Sequence, residues 1–324
     1  MSTSFEPPHR GPNFDGRRFS NPWRDPQNGR RFGLWRWLLR PRGPGWPPAV
    51  SDSAIEGPPQ RSHAPRVTWI GHACALIQID GLNLITDPVY ATCVGPLPGV
   101  GVRRHTPPAI AWSDLPPIDV VLISHAHYDH LDRATITALV RRDDPALVAG
   151  LGLERWLARR GTRRITTLDW WQRTAPVGDG LSITAVPAQH WSRRGLFDRN
   201  RSLWAGFWVE TSAQRIYFAG DTGYGPHFRW IREHLGGPDL ALLPIGAYEP
   251  RDFMHIQHMN PDDAVRAHCD LEARRSIGIH FGTFKLTDEA RDQPVHDLAA
   301  ARLRHGLDDE TFIAPQFGEV FELG

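Results

Sequence analysis

Lysine is almost absent. Lys285 is the single lysine, and the other thirty-six of the 37 basic residues are arginines, a bias that reads as codon usage more than function. Cysteine is scarce as well: Cys74, Cys93 and Cys269 are too few and too scattered for a disulfide framework, and none stands at a ligand position. No apolar run approaches the roughly 18 residues that a membrane-spanning helix needs. The N-terminus MSTSFEPPHR lacks the apolar core of a secretory signal, so cytoplasm is the expected compartment. Charge of one sign is lacking too; the net charge of +1 argues against nucleic acid as a general partner. Hydrophobic residues make up 40% of the 324, enough for one sizeable catalytic core with an extension.

What is present is concentrated histidine. The apolar run Val120–Ile123 leads through Ser124 into His125, Ala126, His127, Tyr128, Asp129 and His130, the pattern HxHxDH. Three imidazoles and a carboxylate at a strand end are poor packing residues and ordinary metal ligands. Side chains alternate in an extended segment, so His125 and His127 point the same way and can grip one ion. The chain then turns toward a helix, which swings Asp129 and His130 toward a second. Three further candidates each follow an apolar run: His190, Asp221 (with Thr222–Gly223 as a turn behind it) and His280. Strand ends hold such ligands rigidly on one rim of a sheet. Together with HxHxDH they make seven ligands of N/O type, the number and order that a two-zinc site requires.

The chain resembles the N-acylphosphatidylethanolamine-hydrolysing phospholipase D family of the metallo-β-lactamase superfamily. The resemblance rests on TWIGHA (Thr68–Ala73), LPPIDVVLISHAHYDHLD (Leu115–Asp132), LDWW (Leu168–Trp171), PAQHW (Pro187–Trp191), FAGDTGY (Phe218–Tyr224), PIGAYEPRDFM (Pro244–Met254) and IHFGTF (Ile279–Phe284). It runs from about Arg66 onward, and NPW (Asn21–Trp23) with Trp37–Leu39 is similar as well. The resemblance implies two Zn2+ ions: His125, His127 and His190 on the first, Asp129, His130 and His280 on the second, and Asp221 bridging them. It gives Asp87 the task of orienting a ligand imidazole, a common arrangement for metal-bound histidine; a plain turn residue before Pro88 is the other reading. Gln257 and His258 match a polar pair near the substrate phosphate.

Two zinc ions sharing a water would lower its pKa toward neutrality and offset charge on phosphoryl oxygens. No Ser or Cys stands in a setting that suggests a covalent intermediate. Asp129, Asp221, Asp87 and His258 are therefore the candidate catalytic residues, His258 as a general acid. The resemblance further implies a phospholipid substrate cleaved between phosphorus and the ethanolamine oxygen, releasing N-acylethanolamine and phosphatidic acid. The same scaffold could instead open a lactone or another small ester or amide, because fold and metal site do not fix substrate.

Residues 1–65 read as an N-terminal extension and 66–324 as the catalytic domain, an α/β metallo-β-lactamase-type αββα sandwich. Residues 1–66 hold eleven arginines against five acidic residues. Residues 1–20 and the Pro/Ser-rich 42–64 read as disordered or linker. Within the extension, Arg30–Arg40 (RRFGLWRWLLR) suits either a membrane interface on the inner face or a clamp on the catalytic core, and a homodimer contact is a third use. Val67–Ile79 and Leu82–Thr86 read as a hairpin. Pro88–Pro108 reads as a long functional loop whose Arg103 and Arg104 face phosphate or anionic lipid, or simply solvent. Helices fit 133–142, 153–160, 225–235, 261–270 and 297–305. Strand, loop and Asp ahead of a helical stretch occur twice, at Asp87 and Asp221, an echo of two ββα halves.

Overall fold

Val120–Ile123 is apolar at every position, the pattern of a strand covered on both faces, and it is the axis of the larger sheet. Fifteen strands and six helices form among the described residues, 13–23, 45–47, 57–97, 99–178 and 180–323, of this computed structural model. Numbered in chain order, the first sheet runs β15 (Val320–Glu322), β1 (Arg66–Gly71), β2 (Cys74–Ile79), β3 (Leu82–Thr86), β6 (Val120–Ile123), β7 (Ala146–Gly150), β8 (Ile165–Leu168). The second runs β14 (Phe312–Ile313), β13 (Arg275–Ile279), β12 (Leu240–Pro244), β11 (Arg215–Phe218), β10 (Gly206–Glu210), β9 (Ser182–Val186). Each sheet begins with antiparallel pairing and becomes parallel, from β3 onward in one and from β11 onward in the other. The echo in the sequence is this repeated plan: Asp87 follows β3 and Asp221 follows β11.

Parallel strands need crossovers, and helices supply them. On the first sheet these are α1 (Arg133–Asp143) and α2 (Glu154–Ala158); on the second, α3 (His227–Leu235), α5 (Pro261–Leu271) and α6 (Gln293–His305). The short α4 (Arg251–Met254) lies in the loop after β12. The period-two alternation of β6 sorts its side chains. Val120 and Leu122 enter the core between the sheets with Phe207 and Trp208, while Val121 and Ile123 pack under α1 with Ile136 and Leu139. Large aromatic side chains bury about 150–250 Å² each, and Trp69, Trp204, Trp208, Tyr217, Phe207 and Phe218 are all fully buried. The layering is therefore αββα. No helix of the described residues is long and apolar enough to cross a membrane.

Several expectations need correction. Val67–Ile79 is two strands, because Gly71 (φ +137°) and His72 (φ +55°) make a turn that a side-chain-rich strand could not hold. Pro88–Pro108 contains a hairpin, β4 (Cys93–Leu97) with β5 (Val100–Arg103). The 153–160 helix shrinks to α2, and the last helix starts four residues early with Pro294 in its first turn, where proline's missing N–H costs nothing. Residues 13–20 are packed, with Phe19 buried beside Ala188, Leu203 and Trp204. Residues 57–64 are tied to β2 and β3: Gln78 and Asn83 donate side-chain amides to the carbonyls of Pro59 and Gln60, and Gly81 N donates to Ser62 O. Arg30–Arg40, Trp35 and Trp37 lie outside the described residues.

The sheets meet tightly at Gly220. Its φ is +60°, and a Cβ there would stand 2.6 Å from Ser124 Cβ, directly before His125. Left-handed strain and overpacking each cost on the order of 1–3 kcal/mol. Gly220→Ala should therefore lower stability by about 2–4 kcal/mol in denaturant titration. A loss below about 0.5 kcal/mol would mean the sheets slide freely here.

Candidate metal centre

The C-terminal ends of β3, β6, β11 and β13 point to one rim, and the chain leaves each as a polar turn. Asp87, His125, Asp221 and His280 stand there, and His190 joins from the segment after β9. Asp87 (φ +32°), His72 (φ +55°) and His280 (φ +64°) all occupy the left-handed region, a conformation that non-glycine residues hold only when their surroundings enforce it. Part of that enforcement is a backbone link across the sheets: His280 N donates to His72 O at 2.9 Å.

Hydrogen bonds then set which ring nitrogen each imidazole presents. Asp87 accepts from Ser124 N (2.7 Å), from Ser124 Oγ (2.5 Å) and from His130 Nδ1 (2.7 Å). Ser124 has thus spent its one proton, so the 2.9 Å contact with His125 Nδ1 requires that nitrogen to donate. His190 Nδ1 donates to Gln257 O at 3.0 Å. His125, His130 and His190 consequently all turn Nε2 inward, the second-layer ordering typical of metal-bound histidine.

The inward atoms fall into two groups. In one, His127 Nδ1 lies 2.7 Å from His125 Nε2 and 3.3 Å from His190 Nε2. In the other, His130 Nε2 and His280 Nε2 are 3.1 Å apart, and Asp129 Oδ2 is 3.4 and 3.5 Å from them. Asp221 faces both: 3.1 Å from His130 and from His280, and 3.9 and 3.8 Å from His125 and His190. A tetrahedral cation about 2.1 Å from each ligand separates those ligands by about 3.4 Å. The second group matches that spacing on every edge. Asp221 Oδ1 approaches His280 Nε2 without making a hydrogen bond and is otherwise unpartnered though buried, as expected of two ligands aimed at a shared cation. The donor set fits a divalent metal.

The electrostatics agree. Burial, with neighbouring imidazoles, pushes His125 well below the usual imidazole value, His127 down to about 3 and His190 down to about 4, which leaves the lone pairs a metal needs. Asp129 and Asp221 stay ionised; burial opposes their charge, but His130 and its neighbours hold both carboxyls well below the ordinary range. His130 and His280 shift up, the latter to about 9, because Asp221 and Asp129 outweigh burial. Asp129 and Asp221 thus draw positive charge onto His130 and His280, the same pull that a divalent cation would satisfy.

His258 stands beside Asp221, its buried Nδ1 3.9 Å from Oδ2 and otherwise unpartnered. Burial lowers its pKa well below 6.5, and the nearby Asp221 carboxylate opposes that shift. Gln257 is half-buried and orients His190 through its backbone carbonyl. Arg103 is exposed on β5. Arg104 does not face a phosphate: it donates to the carbonyls of Val89, Ala91 and Thr106 and stacks over Phe284 at 4.7 Å.

Two supports escaped the sequence reading. His72 Nε2 lies 3.0 Å from Asp129 Oδ2; a carboxylate only accepts, so His72, neutral with its pKa lowered to about 3 by burial, donates and steadies Asp129. A histidine interrupting the apolar run after Gly71 was the available signal. Asn21 and Trp23 are the other support. Asn21 donates to His190 O at 2.8 Å, and Trp23 donates to Gln189 Oε1 at 3.0 Å while stacking on His227.

The profile of the β-lactamase superfamily domain matches residues 83–281. An N-acyl-phosphatidylethanolamine-hydrolyzing phospholipase D of Caenorhabditis elegans is 40% identical over 266 residues, 79% of this chain and 75% of the worm protein. The mitochondrial N-acyl-phosphatidylethanolamine-hydrolyzing phospholipase D of Saccharomyces cerevisiae is 34% identical over 258 residues, 78% of this chain and 55% of its own length. Among solved structures, a metallo hydrolase of the archaeon Ignicoccus hospitalis overlays with a TM-score of 0.60 at 24% identity, covering 81% of this chain and 100% of that one, which is a likeness of fold.

Asp87 touches the centre only through Ser124 and His130. Asp87→Asn should therefore keep the fold but weaken metal affinity or activity about 10–100-fold, read by titration against a competing chelator. Unchanged affinity and activity would remove Asp87 from the site.

Proposed function

The chain belongs to the N-acyl-phosphatidylethanolamine-hydrolyzing phospholipase D family of the β-lactamase superfamily and is a metal-dependent hydrolase; from that premise we propose that it is a dizinc phosphodiesterase releasing N-acylethanolamine and phosphatidic acid from N-acylphosphatidylethanolamine. The observation that carries the reading is the position of Asp221, one carboxylate within 3.1–3.9 Å of histidines from both donor groups. Such a bridge fits a paired-metal centre with His125, His127 and His190 on one side and Asp129, His130 and His280 on the other. Zinc bound there would supply Lewis acidity and a water of lowered pKa.

The chain's own residues do the rest. Asp87 and Gln257 O fix the tautomers of His130 and His190, so no reorganisation is needed when substrate arrives. His258 offers its N–H toward the place where a phosphoryl oxygen would sit next to Asp221. The net change is hydrolysis of one P–O bond: water oxygen ends on phosphorus, and a water proton ends on the ethanolamine oxygen.

Purified protein assayed on N-acylphosphatidylethanolamine, a chromogenic phosphodiester, a lactone and a cephalosporin should cleave the first two. Elemental analysis should approach two zinc ions per chain, and Asp221→Asn should reduce turnover to background. Lactone hydrolysis exceeding phosphodiester hydrolysis, or full activity with one ion, would sink the proposal.

A further inference from the structure

A groove of about 920 Å³ lies between the β4–β5 hairpin and helices α1 and α2. Arg133, Arg141, Arg159 and Arg160 line it. Among the described residues no carboxylate pairs with Arg133, Arg141 or Arg159. Arg160 rests on the Trp156 ring with a buried, unpartnered Nε. Burial, and then repulsion from Arg133 and Arg159, lowers its pKa, so these three charges lie close together. Asp132 also lines the groove, but its carboxylate oxygens already cap α1 through Ala134 N, Thr135 N and Thr135 Oγ1. Arg133, Arg141, Arg159, Arg160 and Arg194 outnumber the single Asp132 carboxylate among the lining residues, and this excess of positive charge suits an anionic partner.

Two turns border this groove and are unlike ordinary protein surface. Leu97 (64% exposed) and Val100 (53%) stand on the hairpin. Leu196 (78%) and Phe197 (83%) stand on the turn that leaves Arg194, itself a lining residue, and Asp198 fixes that turn by accepting from Arg194 N and Gly195 N. Large apolar side chains held out on hydrogen-bonded turns beside a positive groove mark a contact surface. Tyr128, between His127 and Asp129, lines the same groove; its hydroxyl donates to Arg194 O, and the Arg194 guanidinium lies 4.5 Å over its ring. The surface is thus continuous with the loop that carries the candidate ligands.

We propose that this groove and its two apolar turns dock the enzyme on an anionic phospholipid bilayer, the arginines pairing with lipid phosphates and the four apolar side chains entering the headgroup layer. The proposal rests on the lipid-hydrolase reading above and places docking on the catalytic core itself, independently of Arg30–Arg40. Cationic residues and apolar side chains together are what an interfacial site requires, since either alone binds bilayers weakly.

Vesicle co-sedimentation on an Asp221→Asn background measures docking without turnover. Phosphatidylglycerol vesicles should bind more tightly than phosphatidylcholine vesicles, and less so as salt rises. Arg133→Gln/Arg141→Gln/Arg159→Gln should weaken binding to phosphatidylglycerol on the order of a hundredfold, and Leu97→Ser/Leu196→Ser/Phe197→Ser should weaken binding to both lipids. With Asp221 intact, both variants should hydrolyse detergent-dispersed N-acylphosphatidylethanolamine like the parent but fail on vesicles. A parent that ignores vesicles, variants that bind like the parent, or short duplex DNA bound in preference to vesicles would overturn the proposal. Docking as described with no hydrolysis of dispersed lipid would uphold it and refute the hydrolase reading instead.

Discussion

Burying carboxylate charge is expensive unless positive charge is buried with it, and this molecule buries Asp87 and Asp221 in one cluster with Asp129 partly exposed beside them. Asp87 answers with hydrogen bonds: burial pushes its carboxyl up, and three donors from Ser124 and His130 oppose that shift. Asp221 makes no comparable set with backbone donors and is surrounded instead by imidazoles from separate segments. The two environments assign the two residues different work. One orients His130, and the other faces imidazoles in a cluster that could hold a cation.

That requirement shapes the architecture around it. A cluster drawn from strand ends of both sheets forms only when the sheets dock in one register, which Gly220 against Ser124 and His280 N against His72 O enforce. The left-handed backbone at His72, Asp87 and His280 is tolerated because sheet hydrogen bonds on either side leave no alternative. The N-terminal Asn21–Trp23 element belongs to the same construction, since Asn21 holds the His190 carbonyl and Trp23 the side chain of Gln189 beside it.

The αββα plan and the strand ends that gather His and Asp on one rim were legible because apolar runs ending in His or Asp survive any uncertainty in strand pairing. The sequence was opaque where function depends on a backbone break inside an apolar stretch. Val67–Ile79 is apolar enough to pass for one strand, and only a positive φ at Gly71 and His72 reveals the turn that delivers His72. Arg104 misled for a related reason: an arginine in a Gly/Pro-rich loop looks free, whereas here three carbonyls of that same loop consume it. Phe14–Trp23 lacks any period, yet single aromatic anchors such as Phe19 and Trp23 fix it.

Because the inward atoms come from chain positions as far apart as His72 and His280, the centre exists only in the assembled state. Any ion that binds it contributes to global stability by mass action, about 2.7 kcal/mol at a free concentration one hundred times the dissociation constant. Availability of the ion would then set the fraction of folded chain as well as the fraction of active sites. The two quantities would fall together in a metal-poor environment, so the cell's control over metal supply would also be control over how much of this protein persists.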